Sequence, residues 1–482
     1  MKTEKTFAFE EVNRELLAFL DNSPSSFHAV ANMAQMLEEA GLTRIQEGRP
    51  WNLEPGHGYY VTRNDSALIA FRIPRQDFTG FQIMASHSDS PVFKVKANAE
   101  LEVDRHYVKL NVERYGGMLC APWMDRPLSV AGRIVVQTDT GVAAKLVKID
   151  RALLVIPSLA IHMIREVNDG YKYNAQKDML PLFGCCGGEG PGEDGCGEPK
   201  AAVCGDGSSA GVADGRTCGG GAGNGSSRDA FLRLIAREAG VNVEDILDTD
   251  LFLYNRMKGT ILGANREFVC SARLDDLQCA FASLKGFLAA EPEESVAVHC
   301  VLDNEEVGST TKQGAASTFL KDVLVRISQA MGKSGEQYQM ALASSFMVSA
   351  DNAHSVHPNH PDKADPTSRP YMNGGIVIKY SANQKYTTDA VSGGIFRSLC
   401  RRAGVPCQIF TNRSDMLGGS TLGNISGTQV ALNTVDIGLP QLAMHSPYET
   451  AGAKDTAYLV EAARVLFSTG VQWGGDGSYS FI

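Results

Sequence analysis

Five short segments of this 482-residue chain each end an apolar run on residues that bind hard or borderline metals. They are MASHSDS with His87 and Asp89, SARLDDL with Asp275 and Asp276, LDNEEVGS with Glu305 and Glu306, VSADNAH with Asp351, and LAMHSPYE with His445. Two imidazoles and three carboxylates, with a spare carboxylate beside two of the ligands, suffice for a two-metal site. Such a site activates water for attack on a carbonyl or phosphoryl group. Each segment alone has a blander reading. An Asp ahead of a helix is an ordinary N-cap, and a bare DNEE is an exposed acidic loop. Five together point to chemistry.

The segments suggest different roles. His87 ends the strand-like FQIMAS, where a side chain projects from the carboxyl edge of a parallel sheet. Asp89, two residues on, falls on the same side and is placed to accept the second imidazole N–H of His87. Asp275 is the candidate for a carboxylate bridging two metals. The neighbours Glu305 and Glu306 cannot share one environment, so one can bind metal while the other serves as general base, with Gly308 permitting the turn. Asp351 precedes His354, His357 and His360, which lie among Pro358 and Pro361 and read as a solvated loop. His445 is the only histidine in the last 120 residues and so the obvious second imidazole.

The elements that must position these groups are legible as hydrophobic periods. ALIAFRI, FQIMAS, SVAVHCVLD, GIVIKYS and CQIFTNR read as strands. DLQCAFASLKGFLAA, AVSGGIFRSLCRRAG and DTAYLVEAARVLFS read as helices between or after them. This alternation predicts an α/β fold with a mostly parallel sheet and helices on both faces. Residues 97–180 differ, with β-like HYVKLNV, VAGRIVV and AAKLVKI followed by IPSLAIHMIREV, whose spacing predicts a helix. The expected architecture is one α/β domain, 1–96 and 257–482, interrupted by a β-rich insertion, 97–256.

Segment 184–227 stands apart, with 16 glycines, 5 cysteines and no Leu, Ile, Met, Phe, Tyr or Trp. Such a stretch cannot offset its ordering entropy by burial and is expected to be a flexible, disordered surface insertion. Its cysteines form no CxxC pair, so a zinc knuckle is not indicated. A net charge of -10 argues against nucleic acid or an anionic membrane as partner. The acidic, amphipathic start is not a secretory signal, and no apolar run reaches the ~20 residues of a membrane span. The remaining cysteines sit among apolar neighbours, as in a reduced cytoplasmic protein.

Taken in order, HSDSPVFKVK, ARLDDL, DNEEVGS, SADNAHSVHPN, GIVIKYSANQKY and PQLAMHSPYET resemble the aspartyl aminopeptidase family of two-zinc metalloaminopeptidases. The resemblance spans the chain apart from 184–227. It implies that His87, Asp275 and Asp351 hold one zinc and Asp275, Glu306 and His445 the other. Co2+ or Mn2+ is an alternative at one site. It further implies that Asp89 orients His87, that Glu305 is the base, and that a cis peptide joins Asp275 to Asp276. Lys379, Tyr386 and His162 match family residues at the substrate pocket, the last reaching a site from the inserted domain. The implied fold is an α/β peptidase domain interrupted by a dimerisation domain, and the implied assembly a homo-oligomer, a tetrahedral dodecamer. Peptides with acidic N-terminal residues are the implied substrates. A different or broad side-chain specificity is the alternative. A two-metal phosphoesterase, for which Arg273 and Arg413 are the only candidate clamps, is the more distant one. Two features depart from the family: Asp276 stands where eukaryotic members have Asn, and the glycine- and cysteine-rich insertion is not a family feature.

Overall fold

The computed structural model describes residues 8–186 and 229–482. Most of the glycine- and cysteine-rich segment therefore lies outside the described residues. Its first residues do not form a loop: Leu182–Cys185 is a strand paired with Tyr107–Tyr115.

A nine-stranded sheet forms the centre. Its order is Thr43–Arg44, Gly58–Arg63, Ala67–Arg72, Val296–Leu302, Phe81–His87, Phe346–Ala350, Asn433–Gly438, Ile376–Lys379 and Cys407–Phe410. Five of the eight pairings are parallel, including both flanking Phe81–His87, so the sheet is mostly parallel as expected. The period-2 geometry of a strand divides the core. In Val296–Leu302, Val296, Val298, Cys300 and Leu302 join one apolar layer, while Ala297 and Val301 join the other. Phe319–Ala330 and Gly335–Ala343 cover the first layer. The second is covered by Phe9–Asn22, Ser26–Glu39, Leu274–Leu288, Ala390–Ala403 and Asp455–Ser468. Helices on both faces leave the strand ends as the one place where polar groups can converge on an opening.

Close packing fixes one helix that matters for the site. Gly286 of Leu274–Leu288 has no side chain because a Cβ there would meet the Ala463 Cβ at 2.4 Å and the Val460 carbonyl oxygen at 2.7 Å. The helix that begins at Asp275 is thereby locked against the helix that follows the His445 loop.

A second, six-stranded sheet is antiparallel throughout: Gly141–Lys148, Leu128–Thr138, Ile246–Asn255, Val92–Val103, Tyr107–Tyr115 and Leu182–Cys185. It packs its own core around Phe93, Trp123, Ile134 and Leu253. The expected boundary at 96/97 falls inside the strand Val92–Val103. The helix expected over IPSLAIHMIREV does not form. The segment runs through irregular turns, with a 3-10 turn only at Val167–Asp169. Ile156 enters the core of the second sheet, but Leu159, Ile161 and Met163 are 54%, 47% and 73% exposed. A periodic pattern without a packing partner does not stabilise a helix. A five-stranded sheet of Thr260–Leu262, Phe268–Ser271, Glu449–Gly452, Pro440–Leu442 and Ala353–His354 braces the remaining loops. No helix among the described residues is long and apolar enough to cross a membrane.

Candidate metal and active site

Three adjacent parallel strands deliver the first groups. His87 is the last residue of its strand and pairs with Leu302, after which the chain turns through Asp303 and Asn304 to Glu305 and Glu306. Asn304 (φ +62) and Gly308 (φ +98) make that turn in left-handed conformations. Asp351 directly follows Phe346–Ala350. Asp275 opens its helix with non-helical angles, after Arg273 in a left-handed conformation, so it projects into the site instead of capping the helix. The Asp275–Asp276 peptide is cis, as the resemblance implied.

The donors converge. His87, Asp275 and Asp351 each place one donor atom within 4.8 Å of the others, and so do Asp275, Glu306 and His445. Asp275 belongs to both groups. Its Oδ1 lies 3.5 Å from His87 Nε2 and its Oδ2 3.5 Å from His445 Nε2. His445 Nε2 is also 3.4 Å from Glu306 Oε2, and His87 Nε2 is 4.0 Å from Asp351 Oδ1. Glu305 falls in a third group with His87 and Glu306. His354, His357 and His360 join none of these groups.

Asp89 lies against His87 and makes further contacts. His87 Nδ1 is nearest the Asp89 carbonyl oxygen, at 3.1 Å, with the carboxylate at 3.4 Å. Donation from Nδ1–H to that carbonyl leaves Nε2 as the free lone pair facing Asp275 and Asp351. The Asp89 carboxylate also accepts the backbone N–H groups of Glu305 at 3.1 Å and Glu306 at 3.2 Å, and the Tyr115 hydroxyl at 2.7 Å. Asp89 thus holds both the imidazole and the Glu305–Glu306 turn, and Tyr115 ties that turn to the second sheet.

Two further carboxylates do the same for other ligands. Asp276 accepts the backbone N–H of His87 at 3.0 Å. Glu449 accepts that of Asp275 at 3.0 Å with one oxygen and that of His445 at 2.8 Å with the other. Sequence reasoning missed Glu449 and left Asp276 without a role. The only signal was an acid four residues beyond His445 in a segment already singled out.

The electrostatics are those of a cation site. Burial pushes Glu306 and Asp276 well above the ordinary carboxylate range, Glu305 and Glu449 up to about 8, and Asp351 up to about 6 against the opposing pull of Lys379. Burial opposes the charged form of Asp275 too, but the adjacent His445 and His87 imidazoles hold it below its usual value. Asp275 Oδ1, Asp276 Oδ1 and Glu306 Oε1 are buried without a hydrogen bond. Crowded, unsatisfied carboxylate oxygens with two imidazole nitrogens beside them fit divalent cations, which supply the missing charge.

Lys379 is 3% exposed. Its ammonium donates to the Asn352 carbonyl at 2.8 Å, lies 3.7 Å from Asp351 Oδ2 and sits 5.5 Å from the centre of the Tyr386 ring. Phe410, paired opposite Lys379 in the sheet, lines a cavity of about 420 Å³ with His354, Arg413, Met416 and Leu442 among others. His162 is exposed in the turned segment between the Gly141–Lys148 and Leu182–Cys185 strands, outside this cluster.

An α/β sheet with imidazoles and carboxylates gathered at its carboxyl edge is the architecture of a metal-dependent hydrolase. Residues 19–467 match the aminopeptidase I zinc metalloprotease (M18) family, and the chain belongs to it. It is 43% identical over 472 residues to a probable M18 family aminopeptidase 2 of Clostridium acetobutylicum, covering 97% of this chain and 100% of that protein. Among solved structures it is similar to Ape4 in its complex with Nbr1, with a TM-score of 0.85, 34% identity and coverage of 95% of this chain and 86% of that one. The S. cerevisiae mApe1 dodecamer superposes with a TM-score of 0.77 at 26% identity, covering 95% and 97% of the two chains.

Proposed function

We propose that this chain is a two-zinc aminopeptidase that removes single N-terminal residues, acidic ones by preference, from peptides. The observation that carries this reading is Asp275, shared between two donor groups with one oxygen toward each imidazole. His87, Asp275 and Asp351 would hold one ion, and Asp275, Glu306 and His445 the other, with Co2+ or Mn2+ able to replace zinc at one of them. When bound, the ions would supply Lewis acidity to the scissile carbonyl and lower the pKa of attacking water.

The chain's own residues do the rest. Among the described residues Glu305 makes no side-chain hydrogen bond or ion pair, so its carboxylate is available to take the proton of the attacking water and pass it to the leaving amine. Asp89 fixes the turn that aims it. Lys379, buried beside Tyr386, contributes positive charge that suits an acidic side chain. A different or broader side-chain specificity is the alternative. A phosphoesterase is disfavoured because neither arginine is a free clamp: Arg413 is paired with Asp415 at 2.7 Å, and Arg273 donates to the Leu20 carbonyl at 2.8 Å.

The reading extends to assembly. The second sheet, its start moved to Val92, would be the inserted association domain of a cytoplasmic homo-oligomer of twelve subunits, like mApe1. The exposed apolar residues Leu159, Ile161 and Met163 flank His162. Such a patch favours contact with another subunit, which would carry His162 toward a neighbour's substrate pocket.

A panel of aminoacyl anilides and a phosphate ester, assayed with and without chelator, tests the proposal. Chelator-sensitive hydrolysis of the aspartyl and glutamyl anilides, well above the others, is expected. Phosphate release without anilide hydrolysis would overturn it.

A further inference from the structure

One fully buried acid lies outside every donor group and is unused by the chemistry above. Asp436, in the strand Asn433–Gly438, is 0% exposed and makes no ion pair among the described residues. Its strand runs between the one that leads to Asp351 and the one that ends on Lys379. Ser349, two residues before Asp351, pairs with Asp436 itself. On the other side Ile378 pairs with Ile437, and both join one apolar layer. The next residues along, Lys379 and Asp436, therefore share the opposite face.

The carboxylate gathers two separate segments. One oxygen accepts the Thr387 N–H at 2.5 Å and the Thr387 hydroxyl at 2.8 Å. The other accepts the Thr421 hydroxyl at 2.6 Å. The Asp436 N–H adds a bond to the Thr388 hydroxyl at 2.9 Å. Thr387 directly follows Tyr386, which packs with Val377 and Phe410 beside Lys379. Thr421 closes the segment 411–420, whose Asn412, Arg413 and Met416 line the cavity. The space is fitted to the acid: a Cβ on Gly423 would meet its two oxygens at 2.8 and 2.9 Å. An ionised carboxylate accepts all three donors at once, and its charge strengthens each bond.

We propose that Asp436 is a positioning residue for side-chain selection, an inference that rests on the acidic-residue preference proposed above. It holds Tyr386 against Lys379 and anchors the end of the 411–420 segment, so one carboxylate fixes two walls of the pocket that receives the first side chain. It makes no hydrogen bond to any of the candidate metal ligands, so its removal leaves the donor groups and Glu305 in place. A wall that moves weakens binding of the acidic substrate before and during reaction alike. The signature is a rise in KM confined to acidic substrates, with kcat retained.

The test compares aspartyl, glutamyl, alanyl and leucyl anilides on the full-length, metal-loaded parent and three variants, each checked by melting curve and metal content. Asp436→Ala should lower kcat/KM for the acidic anilides roughly tenfold or more through KM, with kcat and the alanyl and leucyl values nearly unchanged. Asp436→Asn should recover most of that loss, because its oxygen keeps the Thr387 bonds and its NH2 can donate to the Thr421 hydroxyl. Gly423→Ala displaces the carboxylate without removing it and should show the same rise in KM, which decides the matter if Asp436→Ala does not fold. Amide exchange across 381–389 should quicken in Asp436→Ala while the metal-ligand segments stay protected. An unchanged KM, a uniform loss over all four substrates, or no recovery in Asp436→Asn overturns the proposal. A parent enzyme with no preference for acidic anilides instead overturns the reading beneath it, and this inference with it.

Discussion

The Glu449 carboxylate accepts the backbone N–H of Asp275 at 3.0 Å, although both are buried acids and each raises the cost of the other's charge. Glu449 has no ion pair among the described residues, and its other oxygen takes the N–H of His445. It therefore fixes Asp275 and the His445 imidazole relative to each other. Asp276 does this for His87, and Asp89 for Glu305 and Glu306. An outer layer of carboxylates thus orients the inner one through the main chain. Bound cations would offset the cost of gathering so much negative charge.

Glu449→Gln tests that layer. The amide keeps one acceptor but turns an NH2 group toward a second N–H, so one of the two ligand segments loses its anchor. Metal affinity should fall roughly 10–100-fold, as outer-shell substitutions commonly cause. Competition with a chelator measures it, and the metal-loaded melting temperature reports whether the fold survives. An unchanged chelator midpoint would rule out the anchoring role.

Glu305→Gln separates base from ligand. If Glu305 only moves protons, both metals should stay bound while turnover drops roughly 10²–10⁴-fold. Metal content and kinetics are read on the same preparation. Loss of one ion would make Glu305 a ligand, the role its place beside His87 and Glu306 also allows.

How much of this was legible in the sequence depends on whether a residue's surroundings are local. His87, Asp275, Glu306, Asp351 and His445 end apolar runs, and strand ends of a parallel sheet converge, so the run pattern alone brought them to notice. The resemblance then distributed them between two ions. Glu449 was invisible because its role lies in accepting two main-chain N–H groups from segments 174 and 4 residues away, which side-chain type does not reveal. Asp89 was noticed for its place beside the His87 imidazole, which its carbonyl meets at 3.1 Å and its carboxylate at 3.4 Å, but the hold of that carboxylate on the Glu305–Glu306 turn is a main-chain contact that residue type does not reveal. The helix expected at IPSLAIHMIREV failed because a 3.6-residue period marks a face that must be covered, and among the described residues nothing covers Leu159, Ile161 and Met163.

Lys379→Met tests specificity. The substitution keeps much of the side-chain length but removes the buried charge beside Tyr386. Hydrolysis of aspartyl and glutamyl anilides should fall by roughly 10²-fold or more in kcat/KM, since a site built to pair a charged group rejects its absence strongly. Hydrolysis of alanyl and leucyl anilides should fall much less. Because Lys379 also lies 3.7 Å from Asp351, metal content must be measured alongside. A uniform loss across all substrates with intact metal would remove Lys379 from side-chain selection.

A pH dependence follows from a histidine outside the donor groups. His28 packs at the junction of the first two helices, its Nδ1 2.8 Å from Ser25 Oγ. Burial, followed by the charges of Lys148 and Arg273, brings its pKa from 6.5 down to about 4. A histidine with a depressed folded pKa is neutral in the fold, while the unfolded chain takes up a proton below 6.5. The unfolded state then binds more protons between about pH 6.5 and 4, so stability rises with pH across that window and is lost as pH falls through it. At about 1.4 kcal/mol per unit the full effect is on the order of 3 kcal/mol. His28→Gln keeps a polar partner for Ser25 but cannot titrate. Its melting temperature should therefore decline less than that of the parent between pH 6.5 and 4, while the two curves run parallel above pH 7. Equal slopes on the acid side would mean that His28 is protonated as readily in the fold as in the unfolded chain.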